Sequence, residues 1–178
     1  FPGQGSQVVG MGKELARVYP DARAVFEEVD DALKTSLSNL MFEGPESELT
    51  LTENAQPAIM ATSMAILRVM SIIGGFDISG GARCVAGHSL GEYTALAAVG
   101  TFSLSDTAKL LQLRGRAMQE AVPVGKGAMA VLIGLSLSDA EAVAKEASAA
   151  GVCDFANDNA PGQVVVSGAK GSIDKAIE

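Results

Sequence analysis

The chain has 178 residues, 48% of them hydrophobic and 19% charged, which is typical of a globular protein with a hydrophobic core. Its formal net charge of −8 at pH 7 argues against nucleic acid as a partner, since that partner needs a basic face. No apolar run reaches the roughly 18 residues of a membrane span and no signal peptide is apparent, so we expect a cytoplasmic protein without membrane contact. We expect Cys84 and Cys153 to be buried as small hydrophobic side chains and expect no metal site.

The first part of the chain predicts helices. A helical pattern runs from Met11 to about Leu37 and breaks near Pro20, where Asp21 is placed to cap a second helix. The nearly all-apolar segment 54–75, NAQPAIMATSMAILRVMSIIGG, predicts one long helix that is buried on most sides and ends at a glycine pair.

The middle of the chain predicts a strand followed by two helices. Residues 82–89, ARCVAGHS, predict a short apolar strand, and residues 89–100 predict a helix that ends at a glycine. Ser103 and Asp106 match a capping box for a helix that reaches about Ala121. The segment AVPVGKG, residues 121–127, is a candidate boundary between subdomains.

The pattern changes beyond this boundary. The predicted elements are a strand at 128–134, a helix capped by Ser138 and Glu141 and ending at Gly151, strands at 152–158 and 163–168 joined by a turn, and a helix from 171. This order is that of a split β-α-β unit of the ferredoxin-like kind, one strand short of closure. We expect two incomplete subdomains, residues 1–122 and 123–178, of a longer protein.

The segment VAGHSLGEY contains a G-x-S-x-G motif, Gly87 to Gly91, between the predicted strand and helix. This context favours a nucleophile elbow, a sharp turn that exposes the hydroxyl of Ser89. The N–H of Leu90, at the helix start, is then available to stabilise an oxyanion. The alternative is a chance match in which Ser89 is an ordinary N-cap residue.

His88 is the only histidine in the chain. Adjacent residues in a tight turn project in different directions, so we expect His88 to support the elbow rather than to activate Ser89. A serine hydroxyl needs a base within hydrogen-bond reach to become a good nucleophile. If that base is a histidine, we expect it in sequence beyond these residues.

Arg114 lies on a predicted apolar face of the helix 106–121. The other residues of that face are Leu110, Leu113, Ala117, Met118 and Ala121. A guanidinium on an apolar face needs an anion, and its planar fork fits a carboxylate. Three interpretations stay open: a clamp for a substrate carboxylate, an internal salt bridge, for instance to Glu92, or a side chain that reaches solvent.

The loop PGQGSQ, Pro2 to Gln7, has two interpretations as well. It lacks the lysine and hydroxyl residue of a phosphate loop and the G-x-G-x-x-G pattern. It is either a tight turn into the first helix, or a loop whose glycines let the N–H of Gln4 supply a second oxyanion donor.

The motifs FPGQGSQ, NAQPA, GHSLGEY, LRGRAMQEAVP and GAMA occur in this order along essentially the whole chain. In this combination the chain resembles the malonyl-CoA:acyl-carrier-protein transacylases and the related acyltransferase domains of fatty-acid and polyketide synthases. The resemblance implies an α/β fold, with an α/β-hydrolase-like large subdomain and an inserted ferredoxin-like small subdomain.

The resemblance also implies roles for individual residues. Ser89 would take a malonyl group from coenzyme A as an ester and pass it to the phosphopantetheine thiol of acyl carrier protein, in fatty-acid biosynthesis. Arg114 would clamp the free malonyl carboxylate. The remaining implied site residues are Gln4 and Leu90 as oxyanion donors, and Gln56 and Asn159 near the acyl pocket. The resemblance implies a monomer that needs no cofactor beyond its substrates, and a catalytic histidine in later sequence.

Two other functions compete with this one. A serine esterase of the α/β-hydrolase class shares the elbow, but it is expected to carry an HGGG-type loop and needs no buried arginine. An inactive fragment or carrier-binding module would account for the absence of a second histidine.

Overall fold

The computed structural model describes residues 1–123 and 125–178. Val124, in the predicted connection 121–127, lies outside the described residues. The chain divides into two compact units, residues 1–119 and residues 120–178. The fold is mixed helix and sheet, as expected for an α/β chain.

The first unit is helical. Its helices are α1 (Lys13–Val18), α2 (Pro20–Leu33), α3 (Leu37–Glu43), α4 (Glu46–Leu49), α5 (Thr52–Gly74), α6 (Ile78–Gly81), α7 (Leu90–Ala98) and α8 (Leu104–Ala121), whose last two residues belong to the second unit. The core forms where α2 packs on α5, and its largest fully buried apolar side chains are Phe26, Met41, Leu49, Ile59, Met60, Leu90 and Leu111.

The predicted break near Pro20 is confirmed, but the cap is not the predicted residue. Tyr19 occupies the N-cap position with an extended backbone, and Pro20 is the first helical residue. Proline suits that position because its missing N–H would have no partner there and its fixed φ is already helical. Asp21 lies in the first turn, where its negative charge faces the positive end of the helix.

Helix α5 matches the predicted long helix and is followed by its C-cap residue Gly75, whose φ of 62° is left-handed. Eight of its residues are buried, all between Ala55 and Ala65. The later turns leave apolar side chains such as Ile73 exposed, so the expectation of burial on most sides is wrong for that part. Among the described residues, α5 is the one helix whose length and composition would allow it to cross a membrane. The search for an uninterrupted apolar run did not identify it.

The predicted strand at 82–89 does not form in the described structure. The segment pairs with a single residue: the backbone nitrogen of Phe1 donates to the carbonyl of Ala86 over 2.7 Å, and the N–H of His88 donates to the carbonyl of Phe1 over 3.1 Å. These two bonds have the pattern of a parallel strand pair. Two bonds are too few to define a strand.

The second unit contains the predicted strand–helix–strand–strand–helix order. Its elements are β1 (Gly127–Ile133), α9 (Leu137–Ala147), a 3-10 turn (Ser148–Ala150), β2 (Cys153–Ala160), β3 (Gln163–Ala169) and α10 (Lys170–Ala176). The sheet order is β1-β3-β2, both pairs being antiparallel, with Val131 opposite Val165 and Cys153 opposite Gly168. The core of this unit lies between the sheet and the two helices, around Leu132, Ala144, Val164, Val166 and Ile173.

Two smaller expectations need correction. Helix α9 is capped by Ser136, which accepts from the N–H of Asp139 over 3.2 Å, so the cap lies two residues before the predicted Ser138. Cys153 is buried as expected, but Cys84 is exposed, so the expectation of burial is wrong for Cys84.

Candidate active site

Ser89 has a backbone conformation that non-glycine residues rarely adopt. Its φ is 54° and its ψ −113°, and α7 begins at the next residue, Leu90. Ser89 occupies the N-cap position of α7, as in the alternative interpretation, but its side chain makes no capping hydrogen bond. An exposed serine with a strained backbone at the start of a helix is consistent with the helix side of the predicted nucleophile elbow, although the predicted strand before it does not form.

The glycines on either side of Ser89 are required by close backbone contacts. A Cβ on Gly87 would lie 1.8 Å from the carbonyl carbon of Gly91, and a Cβ on Gly91 would lie 2.4 Å from the carbonyl oxygen of Phe1. No side chain fits at either position. The G-x-S-x-G spacing is therefore explained by the turn itself.

The N-terminal loop lies against the elbow. Phe1 makes the two hydrogen bonds described above. Gly3 faces the ring of His88, since a Cβ on Gly3 would lie 2.4 Å from His88 Nδ1. The Gln4 side chain donates to Thr52 Oγ1 at the start of α5 over 3.3 Å. The backbone N–H groups of Gln4 and Leu90 donate to no acceptor in the described part of the chain. Neither N–H group therefore has an internal acceptor among these residues, although Leu90 as a whole is buried.

Arg114 on α8 contacts the serine directly. Its Nη2 donates to Ser89 Oγ over 3.1 Å, and its Nη1 donates to Gln56 Oε1 over 2.7 Å. The guanidinium carbon lies 5.9 Å from the centre of the Tyr93 ring, within range of a cation–π contact. Among the described residues Arg114 forms no salt bridge, so the interpretation of an internal ion pair with Glu92 is wrong.

The face of α8 that packs into the core differs from the predicted one. Its buried residues are Thr107, Ala108, Leu111 and Gly115, whereas Leu113 and Met118 of the predicted face are 65% and 44% exposed. The small residues allow close approach: a Cβ on Gly115 would lie 2.5 Å from the Cα of Glu53. Arg114 is half-buried at the edge of this face, rather than among leucines.

A second set of contacts joins α8 to the start of α5, and the sequence analysis missed it. The N–H of Glu53 donates to Gln119 Oε1 over 2.9 Å, and the Glu53 carboxylate pairs with Arg116 at 2.8 Å. The sequence feature that could have indicated these contacts is the pair Gly115 and Gln119, which lie four residues apart and so on the same side of α8. These contacts keep Arg114 close to Gln56 on α5.

The remaining predicted site residues lie in different places. Gln56 is fully buried, and its Nε2 donates to Met118 Sδ over 3.4 Å. Asn159 lies on β2 in the second unit. Tyr93 is a site residue that the sequence analysis did not identify, although it follows the G-x-S-x-G motif closely. The described residues contain no cluster of three or more histidine, cysteine, aspartate or glutamate side chains that could hold a metal.

Three comparisons relate this chain to known proteins. The family model described as "Acyl transferase domain" matches residues 1–178. The "Malonyl CoA-acyl carrier protein transacylase" of Bacillus subtilis (strain 168) is 46% identical over all of this chain and 55% of that protein.

Solved structures agree with the sequence matches. The acyl-carrier-protein-S-malonyltransferase of Bartonella henselae has a TM-score of 0.93 and 56% identity, over 99% of this chain and 56% of that one. A malonyl-transacylase solved in complex with its type II PKS acyl-carrier protein has a TM-score of 0.89 and 43% identity, over 99% and 56%. The chain spans about half the length of the curated relatives it matches.

Proposed function

The chain belongs to the acyl transferase domain family, and from this premise we propose that the protein transfers a malonyl group from coenzyme A to the thiol of an acyl carrier protein. The observation that carries the proposal is the contact between an exposed serine in a strained turn and an arginine with no internal counter-ion among the described residues. The names of the similar proteins support the same reaction.

Ser89 acts as the nucleophile. Its Oγ attacks the thioester carbonyl carbon, the C–S bond breaks, and the coenzyme A thiol leaves with a proton. The carrier's phosphopantetheine thiol then attacks the serine ester, the ester C–O bond breaks, and the proton returns to Ser89. Arg114 cannot take the serine proton because a guanidinium has no acceptor and stays protonated, so another group of the full protein acts as the base.

Gln4 and Leu90 stabilise the negative charge on the tetrahedral intermediates. The proposal is supported by their backbone N–H groups, which have no internal acceptor in the described residues, and by the packing of the Gln4 loop against the elbow. Two such donors aimed at a developing oxyanion lower the barrier because their orientation is already fixed before reaction. His88 supports this arrangement through its contact with Gly3.

Arg114 selects the acyl group. A malonyl carboxylate supplies the anion that the guanidinium lacks, whereas an acetyl group would leave a half-buried cation unpaired. A site built for a polar group discriminates strongly against an analogue without it. We assign Gln56 to the support of Arg114, and Asn159 to the acyl pocket on the strength of the family resemblance alone.

The finer architecture is part of the proposal. The elbow geometry supports an α/β-hydrolase-like large subdomain, and the β1-β3-β2 sheet with its two helices supports a ferredoxin-like small one, with a boundary near residue 122. We further propose a cytoplasmic monomer whose partner is an acyl carrier protein and which needs no cofactor beyond its substrates.

The test is intact-mass spectrometry of the full-length protein mixed with malonyl-CoA. We expect one malonyl adduct on Ser89 that disappears when a phosphopantetheinylated carrier protein is added, and no adduct in Ser89→Ala. A malonyl adduct in that variant would exclude Ser89 as the nucleophile. Rapid hydrolysis of p-nitrophenyl acetate without malonyl transfer would instead support a serine esterase.

A further inference from the structure

Three neutral groups hold the guanidinium of Arg114. Gln56 Oε1 and Ser89 Oγ accept its hydrogen bonds at 2.7 and 3.1 Å, and the Tyr93 ring lies 5.9 Å away. Within residues 1–123 and 125–178 no carboxylate forms a salt bridge with it. The positive charge of Arg114 is therefore oriented but not neutralised by these groups.

The Gln56 side chain has one strong and one weak hydrogen-bond partner. The side chain is fully buried, and its oxygen must face Arg114 because a guanidinium only donates hydrogen bonds. That leaves its NH2 group pointing at Met118 Sδ, a weak acceptor 3.4 Å away. A carboxylate here would bind Arg114 more strongly and would leave no buried N–H groups in need of acceptors.

We infer that acyl specificity requires a neutral side chain at position 56: Gln56 holds Arg114 by a hydrogen bond without neutralising its charge. The inference rests on the proposed function and adds to it the reason why the clamp keeps its charge for the substrate. Gln56 is a positioning residue in this account, since it acts on the acyl group through the guanidinium.

A carboxylate at position 56 would remove the basis of the selectivity. Arg114 would already be paired, so a malonyl carboxylate would meet a neutral ion pair and would gain little by displacing the internal anion. An acetyl group would no longer leave an unpaired cation behind. The substitution Gln56→Glu should therefore lower the preference for malonyl over acetyl while it keeps the side-chain size.

The experiment measures the rate of Ser89 acylation by malonyl-CoA and by acetyl-CoA in the full-length protein. We expect Gln56→Glu to reduce the malonyl-over-acetyl ratio of kcat/KM by about 10- to 100-fold, the range of a hydrogen bond to a charged group. Gln56→Met keeps the volume and leaves the charge free, so it should slow both reactions but keep most of the ratio. Gln112→Glu on α8 introduces the same charge elsewhere and should keep the ratio as well.

The outcomes separate this inference from the proposed function. If the unmodified protein forms no malonyl adduct on Ser89, the proposed function fails. If it does, and Gln56→Glu retains the full ratio, the inference is overturned. If Gln56→Glu does not fold, as judged by its thermal melt, Gln56→Met decides. Retention of the ratio in Gln56→Met would support the inference, and loss of the ratio would overturn it, because orientation rather than free charge would then set the preference.

Discussion

Arg114 Nη2 and Ser89 Oγ are joined by a 3.1 Å hydrogen bond, although the two residues are 25 positions apart in the sequence. The contact exists because α8 approaches α5 closely at Gly115 while Ser89 is lifted at the start of α7. It brings a nucleophile and a cation together in one site.

Arg114→Ala should lower kcat/KM for malonyl transfer by about two to three orders of magnitude, as loss of one partner of a desolvated charge pair does. Transfer of acetyl should change much less, because that group makes no use of the guanidinium. The measurement is acylation of Ser89 by each thioester in the full-length protein. Lys109→Ala, which removes an exposed cation from the same helix, is the control and should keep the malonyl-over-acetyl ratio. An unchanged ratio in Arg114→Ala would exclude the clamp.

Gly115→Ala should destabilise the first unit by about 1–3 kcal/mol, the usual cost of overpacking. The added methyl would lie 2.5 Å from the Cα of Glu53, and neither helix backbone can move away without disturbing the core. Gly74→Ala is the matched control, since a Cβ at that helical position meets nothing within 4 Å. Urea denaturation of both variants measures the difference, and equal stabilities would contradict the close approach of α8 and α5.

Ser136→Ala should cost about 1 kcal/mol, because the Ser136 hydroxyl caps α9 by accepting from the N–H of Asp139. Ser138→Ala should cost less, since Ser138 lies inside the helix and only contacts the Ser136 hydroxyl. Chemical denaturation of the two single variants makes the comparison. A larger loss in Ser138→Ala would restore the cap predicted from the sequence.

The two cysteines should differ in reactivity. Burial, and after it the negative charge of Asp154, raises the pKa of the Cys153 thiol, whereas Cys84 is exposed. At about pH 8, iodoacetamide should alkylate Cys84 in the native protein and Cys153 only after unfolding, because the thiolate is the reactive form. Peptide mapping locates the label, and native Cys84→Ser should remain unlabelled.

Because the folded-state pKa of Cys153 is raised, its contribution to stability is complete below the unfolded pKa and is lost as the pH rises through the folded one.

Local sequence patterns predicted most of the elements correctly. Three of these features depend on neighbouring residues only. They are the glycine pair at the end of α5, the capping box Ser103–Asp106 and the alternation of strands and helices after residue 127. In the capping box, the N–H of Asp106 donates to Ser103 Oγ over 3.0 Å. The strand expected at 82–89 failed because a strand is defined by distant partners. The core-facing side of α8 was misjudged because exposed leucines on that helix outweighed the small residues that pack.

The sequence by itself predicted that Ser89 stands in a tight turn, because Gly87 and Gly91 flank it and have no side chains to obstruct such a turn. It left open what Arg114 binds, since helical periodicity gives a direction but not a neighbour. Only the tertiary structure decided that question. By packing α8 onto α5 through Gly115, it placed the guanidinium between Gln56, Ser89 and Tyr93. Such contacts depend on the relative position of three helices, which no local pattern specifies.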